Sequence, residues 1–254
     1  MSKPELVTVP CRTDNYAFLV HDGDSGQTAL IDAPEAGPIA AALSERGWVL
    51  SDILLTHHHD DHIAGVAALR EGARVVGAMA DAHRLPPLDL QVRPGDTLTV
   101  CGVETRVIDV SGHTVGHVAY HLPAAELVFT ADSLMALGCG RIFEGTAPMM
   151  WQSLMRLAAL PPQTIVCSGH EYTAANGRFA ATVDGANPAL EARLEAVARS
   201  RAEGRPTVPS TLAEEVATNP FLRARAPEIK AALGMDGAED VDVFAEIRRR
   251  KDSF

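Results

Sequence analysis

The chain has 254 residues, 46% of them hydrophobic, and a formal net charge of -11. That is enough apolar material for one large domain, or for a main domain with a smaller appendage. The acidic balance excludes a nucleic-acid or anionic-membrane partner, since both need a basic face, and no apolar run approaches the roughly 20 residues that span a bilayer.

Met1-Ser2-Lys3-Pro4-Glu5-Leu6 has no apolar signal core. Four cysteines, Cys11, Cys101, Cys139 and Cys167, lie far apart without metal-type pairing. Reduced, buried thiols in a cytoplasmic protein are the expectation.

Leu6–Val9, Tyr16–Val20 and Thr28–Ile31 are predicted as antiparallel strands around the turn-rich stretch 22–26. Asp32 ends the third, as a cap or as a group orienting a ligand; both readings stay open. Ala36–Arg46 has helical spacing and stops at Gly47. A short apolar strand, 52–55, runs into Thr56-His57-His58-His59-Asp60-Asp61-His62, and a helix is expected from Ile63 to Arg70. Arg74–Gly77 follows as a strand, then a Pro-rich connection from Asp81 to Leu90, in which His83 is an ordinary surface histidine.

The turn Pro94-Gly95-Asp96 precedes a hairpin, 97–100 with 104–110, that delivers Ser111-Gly112-His113-Thr114-Val115-Gly116-His117. Strands 117–122 and 127–130 lead to Asp132, and after a helix over 150–160 the strand 164–167 leads to Gly169-His170-Glu171-Tyr172. From Ala174 onward Ala, Glu and Arg recur at helical spacing and no strand pattern returns. The expected domains are therefore 1–174, mixed strand and helix, and 175–254, helical.

Four of the chain's 10 histidines fall in the seven residues 56–62, with two carboxylates among them. Imidazole and carboxylate suit zinc, iron and manganese, and a strand-to-helix turn can aim several side chains at one point. A purification tag sits at a terminus and carries no flanking strand and helix. Strand ends deliver His57, His59, Asp61, His62, His113, Asp132 and His170. One catalytic zinc takes about three protein ligands, so seven candidates fit two ions: His57, His59 and His113 on the first, Asp61, His62 and His170 on the second. Asp132 is the natural bridge, because a carboxylate has two oxygens to offer. His58 and Asp60 should point away from their neighbours; His117 is expected to orient a ligand; His21 and His121 are read as surface or sheet histidines.

Against the acidic background, Arg248-Arg249-Arg250-Lys251 stands out. A helix end with basic residues is favoured by the macrodipole alone, yet Arg248 and Lys251 share one helix face.

Thr56-His57-x-His59-x-Asp61-His62, Gly112-His113-Thr114-x-Gly116-His117, Phe129–Ser133 and Gly169–Thr173 together resemble the metallo-β-lactamase superfamily. Gly138–Arg141 with Phe143–Thr146, the 169–173 run and the closing residues 248–254 resemble glyoxalase II, the hydroxyacylglutathione hydrolases. The resemblance spans nearly the whole chain. It implies an α+β fold, the αββα metallo-β-lactamase sandwich with a C-terminal helical domain, and a binuclear site. The implied reaction is hydrolysis of S-D-lactoylglutathione to glutathione and D-lactate by a hydroxide bridging two divalent ions, zinc first, with iron or manganese as alternatives. It supports the ligand assignment and raises the reading of Arg141, Arg248 and Lys251, with Tyr172 and Phe143, as binders of the glutathione thioester; Asp61 and Asp132 are expected to be catalytic, and the chain a monomer. Departures from the family pattern include Asp60, Gly65-Val66, Ser111, Ala131 where glycine is common, and Phe143 where tyrosine is common.

The rivals are a mononuclear-iron glutathione persulfide dioxygenase, a lactonase or a β-lactamase on the same fold, and a non-catalytic metal-binding protein. The last does not explain the basic tail.

Overall fold

Residues up to Val110 together with Val115–Ala131 make one compact unit, and Ser111–Thr114 with Asp132–Phe254 a second. The computed structural model describes residues 3–254; Met1 and Ser2, part of the N-terminal stretch read above, lie outside them.

The first unit opens with β1 (Glu5–Cys11), β2 (Asn15–His21) and β3 (Thr28–Ile31), joined antiparallel as expected. Helix α1 (Ala36–Arg46) crosses over to β4 (Leu50–Leu54), which pairs parallel to β3. Gly47 ends α1 at φ 66°, a left-handed conformation that lets its N–H reach the last carbonyls of the helix.

Two short helices follow, α2 (Asp60–Ile63) and α3 (Val66–Leu69), in place of one helix from 63 to 70. The break is at Gly65, whose N–H donates to the Ala33 carbonyl at 2.8 Å and which packs so close to the 33–36 turn that a side chain would crowd that backbone. Then come β5 (Arg74–Ala78) and β6 (Leu90–Val92), completing the sheet order β1-β2-β3-β4-β5-β6. The strand β6, which no strand expectation covered, pairs parallel to β5 and starts at the last residue of the expected 81–90 connection.

Strands β7 (Thr97–Val100), β8 (Val103–Asp109), β9 (Val118–Leu122) and β10 (Leu127–Ala131) form an antiparallel meander in the same unit. Leu19, Leu30, Ile39, Ile53, Leu55 and Val75 are fully buried in one apolar cluster beneath α1. Each such side chain contributes about 1.5–3 kcal/mol relative to exposure, so β3 and β4 are held rigidly at the ends where Asp32 and His57 emerge.

The second unit has a two-residue-a-strand hairpin, β11 (Leu134–Met135) with β12 (Gly138–Cys139), then α4 (Ala147–Ala158) and β13 (Ile165–Ser168). The helices α5 (Thr173–Val183) and α6 (Pro188–Ala202) lead to β14 (Ser210–Thr211), α7 (Leu212–Thr218), α8 (Pro227–Leu233) and α9 (Asp240–Asp252). Strand β14 pairs with β13, so the expectation of no strand beyond 174 fails; two residues are too few to show a period. Side-chain caps from Thr146, Asn187 and Thr211 start α4, α6 and α7. Phe179, Phe221 and Phe244 form a buried aromatic column, with Trp151 of α4 tilted on Phe244.

Candidate metal centre

In the first unit, β4 passes directly into the histidine turn. Leu55 N–H still bonds Val76 across the parallel pair, while Thr56 and His57 are fully buried. Asp32, at the end of β3, accepts hydrogen bonds from Thr56 N at 2.9 Å and Thr56 Oγ1 at 2.8 Å. Its Oδ2 also lies 2.8 Å from His62 Nδ1. That partner puts the His62 proton on Nδ1 and directs Nε2, a metal-type lone pair, towards Asp61, whose Oδ2 is 3.9 Å away. Asn15 Nδ2 donates to the carbonyl and Oδ2 of Asp61 at 3.0 and 3.1 Å, fixing that carboxylate in turn. His57 Nε2 and His59 Nδ1 face each other at 3.2 Å, the spacing of two nitrogens turned to one point.

His58 turns the other way. Its Nδ1 lies 2.9 Å from Oδ2 of Asp81, a buried carboxylate that also holds Arg84. The same carboxylate occupies the space over Gly116, which explains why the Gly-His-Thr-x-Gly-His run has no side chain there. Asp60 pairs with Arg12 at 2.9 Å on the surface. His117 is buried with its ring 4.5 Å from that of His57. His121 is buried on β9, and burial lowers its pKa; His21 bonds Thr28 and stacks on Trp48.

In the second unit, His113 Nδ1 lies 2.8 Å from the Arg141 carbonyl, so its Nε2 is the metal-type lone pair. That Nε2 is 3.5 Å from Asp132 Oδ2, while His170 Nε2 is 3.2 Å from Asp132 Oδ1. One carboxylate thus presents a separate oxygen to each of two imidazoles. Tyr172 stacks on His170 with centroids 4.6 Å apart, and Phe143, 62% exposed, leans on His113 at 5.2 Å. Gly140 passes so close to the Asp132 carbonyl that any side chain would overlap it.

The cations of the tail have different surroundings. Lys251 Nζ lies over the rings of Phe179 and Phe254 at 5.5 and 5.2 Å. Burial, then the like charges of Arg248, Arg178 and Arg141, hold its pKa below the usual lysine value. Arg141 is exposed. Arg248 is 5% exposed: Nη1 donates to the Cys139 carbonyl at 2.8 Å, and Nη2 and Nε donate to Asp252 Oδ1 at 2.8 and 3.1 Å. Sequence reasoning passed over Asn15, Asp81 and Arg178. The first two act on residues 46 and 23 positions away, a separation at which spacing carries no signal.

Residues 171–254 match the family described as hydroxyacylglutathione hydrolase C-terminus, and residues 12–170 match the metallo-β-lactamase superfamily. A hydroxyacylglutathione hydrolase of Cereibacter sphaeroides is 65% identical over 98% of this chain and 99% of its own; that of Jannaschia sp. is 63% identical over the full length of both. The chain belongs to the hydroxyacylglutathione hydrolase family.

Among solved structures, ETHE1 from Myxococcus xanthus superposes with a TM-score of 0.68 at 27% identity, over 96% of this chain and 90% of that one. TTHA1623 in a di-iron-bound form gives 0.60 at 26% identity, over 86% and 100%. This hydroxyacylglutathione hydrolase family member has the metallo-β-lactamase fold, two sheets with helices, plus a C-terminal helical region, and is a hydrolase of that fold. Its histidine and aspartate clusters fit a centre for two divalent metal ions. Among the described residues no helix is long and apolar enough to cross a membrane.

Proposed function

We propose that the chain hydrolyses S-D-lactoylglutathione and related 2-hydroxyacylglutathione thioesters to glutathione and the hydroxy acid. The observation that carries the reading is Asp132, whose two oxygens face His113 Nε2 and His170 Nε2 separately. That arrangement suits a carboxylate that joins two ions. In this reading His57, His59 and His113 hold one ion, Asp61, His62 and His170 the other, and Asp132 joins them; bringing the two donor sets to one centre is part of the proposal. The relatives' names support the substrate, and the di-iron form of TTHA1623 supports two ions. The ligand chemistry suits zinc, and iron or manganese equally by type.

When bound, two divalent cations supply Lewis acidity and a water nucleophile at neutral pH. The remaining work belongs to side chains. Asn15 holds Asp61, which orients the attacking water. Arg141, Lys251 and Tyr172, with Phe143 beside them and Arg248 behind, make the glutathione subsite, where the cations take the glycine carboxylate. The leaving thiolate needs no strong acid, since a thiol has a pKa of about 8.5. We also propose residues 175–254 as the helical substrate-binding part, a cytoplasmic monomer, and a small-molecule substrate; four buried thiols, with no disulfide among the described residues, fit a reducing compartment.

The test is metal analysis with a thioester hydrolysis assay. Two ions per chain and turnover of S-D-lactoylglutathione are expected. One iron per chain with oxygen consumption overturns the reading in favour of a persulfide dioxygenase.

A further inference from the structure

The hairpin of β11 and β12 is short, and the backbone around its tip is read by side chains from helices far along the chain. Asn219, just after α7, has its Nδ2 3.0 Å from the Met135 carbonyl and 2.9 Å from the Gly138 carbonyl, one on each strand. Glu215, on α7, accepts from Leu137 N–H at 3.0 Å. Asn176, on α5, donates to the Ala136 carbonyl at 3.1 Å, and Arg248, on α9, to the Cys139 carbonyl. Consecutive residues from 135 to 139 thus each give a backbone group to a tail side chain.

The clamp is itself braced and dry. Glu215 and Asn219 are completely buried; Glu215 pairs with Arg193 and accepts from Ser210 Oγ at 2.6 Å, while Asn219 Oδ1 accepts from Phe221 N–H at 3.1 Å. Leu137, at the tip, holds φ 55°, a conformation a leucine adopts only when its surroundings impose it. A side chain on Gly138 would overlap Asn176. Two residues upstream of β11 is Asp132, and two downstream of β12 is Arg141, whose carbonyl orients His113.

We infer that Asn219 is a positioning residue for the reaction: with Glu215 and Asn176 it holds the 134–139 hairpin in the one shape that presents Asp132 and Arg141 together. The inference rests on the function proposed above for its kinetic consequence, though not for its structural content. The side-chain hydrogen bonds of Asn219 go to Met135, Gly138, Glu215 and Phe221, none of them a proposed metal ligand. The helical tail therefore shapes the chemistry as well as gripping the substrate, and Arg248 belongs to this clamp through Cys139.

The test compares Asn219→Ala and the milder Asn176→Ala with Leu233→Ala, which removes buried packing in α8 away from the hairpin. Hydrogen–deuterium exchange of the 133–141 peptide, metal content, melting temperature, kcat and KM are measured on metal-loaded full-length protein. In both asparagine variants exchange of that peptide rises and kcat/KM falls about tenfold or more, because buried carbonyls lose their donor. Leu233→Ala lowers the melting temperature yet leaves peptide exchange, kcat and KM as in the wild type. If Asn219→Ala fails to fold, Asn176→Ala decides alone. Wild-type exchange and kinetics in the asparagine variants, or equal losses in Leu233→Ala, overturn the inference. A metal-loaded wild type inert towards S-D-lactoylglutathione overturns the proposed substrate instead, and peptide exchange then decides the clamp.

Discussion

Asp32 Oδ2 and His62 Nδ1 lie 2.8 Å apart in a site that excludes solvent from both. The carboxylate fixes the tautomer and ring plane of the imidazole, and Thr56 locks the carboxylate from the other side. Removing such an orienting group commonly weakens metal binding 10–100-fold. Asp32→Ala should lower metal affinity by about that factor, read by competition with a chelator. Unchanged affinity would show that His62 needs no such partner.

Gly116 and Asp81 form a second coupled pair. A methyl group at 116 would overlap the buried Asp81 carboxylate, so Gly116→Ala should destabilise the protein by about 1–3 kcal/mol, the usual cost of overpacking. Adding Asp81→Ala frees the space, so the double variant should lose clearly less than the sum of the singles in urea unfolding. Strict additivity would refute the contact.

Ala131, the last residue of β10, sits at φ 43°. A left-handed alanine costs roughly 1–2 kcal/mol, and glycine does not bear that cost. Ala131→Gly should therefore raise the melting temperature, against the usual direction for a glycine placed in a strand, with metal content unchanged. A fall would mean the backbone is relaxed as it stands.

Lys251→Ala should raise KM for the glutathione thioester about tenfold with little change in kcat, as loss of uniform binding does. Because burial and neighbouring arginines hold the ammonium pKa below the usual value, the lysine loses its proton at lower pH than an ordinary one. KM should then climb towards alkaline pH earlier than for a normal lysine. Lys251→Arg, which stays charged, should abolish that climb while restoring affinity; an identical pH profile in both would discount Lys251 as the cause.

Burial pushes the thiols of Cys11 and Cys139 up to about 11 and that of Cys101 up to about 12, from 9.0. Cys167 moves the same way. The folded state thus favours the protonated form, so this contribution to stability is complete below the unfolded pKa of 9.0 and is lost as pH rises through about 11 to about 12. Native protein should resist iodoacetamide at pH 8, whereas all four cysteines react in denaturant. Rapid labelling of the native protein would place a thiol at the surface.

Chemistry concentrated in a few adjacent residues is legible without coordinates. The cluster 56–62, the apolar strand runs 16–20 and 28–31 and the helical spacing beyond 174 depend on neighbours in sequence, where side-chain direction follows from local geometry. The split of the 63–70 helix and the added strands β6 and β14 do not, because they answer to the Ala33 carbonyl, to β5 and to β13.

From the order of its residues alone, this protein has its donor chemistry, its acidic main body and its basic run 248–251 settled. Only the folded chain decides that Asp32 faces His62, that Asp132 divides its oxygens between two imidazoles, and that Asn219 spans the 134–139 hairpin. The physical reason is the range of the interactions. Composition and periodicity are properties of a few neighbouring residues, whereas a hydrogen bond across 30 or 81 positions exists only after sheets and helices have packed tightly enough to leave one place for each buried polar group.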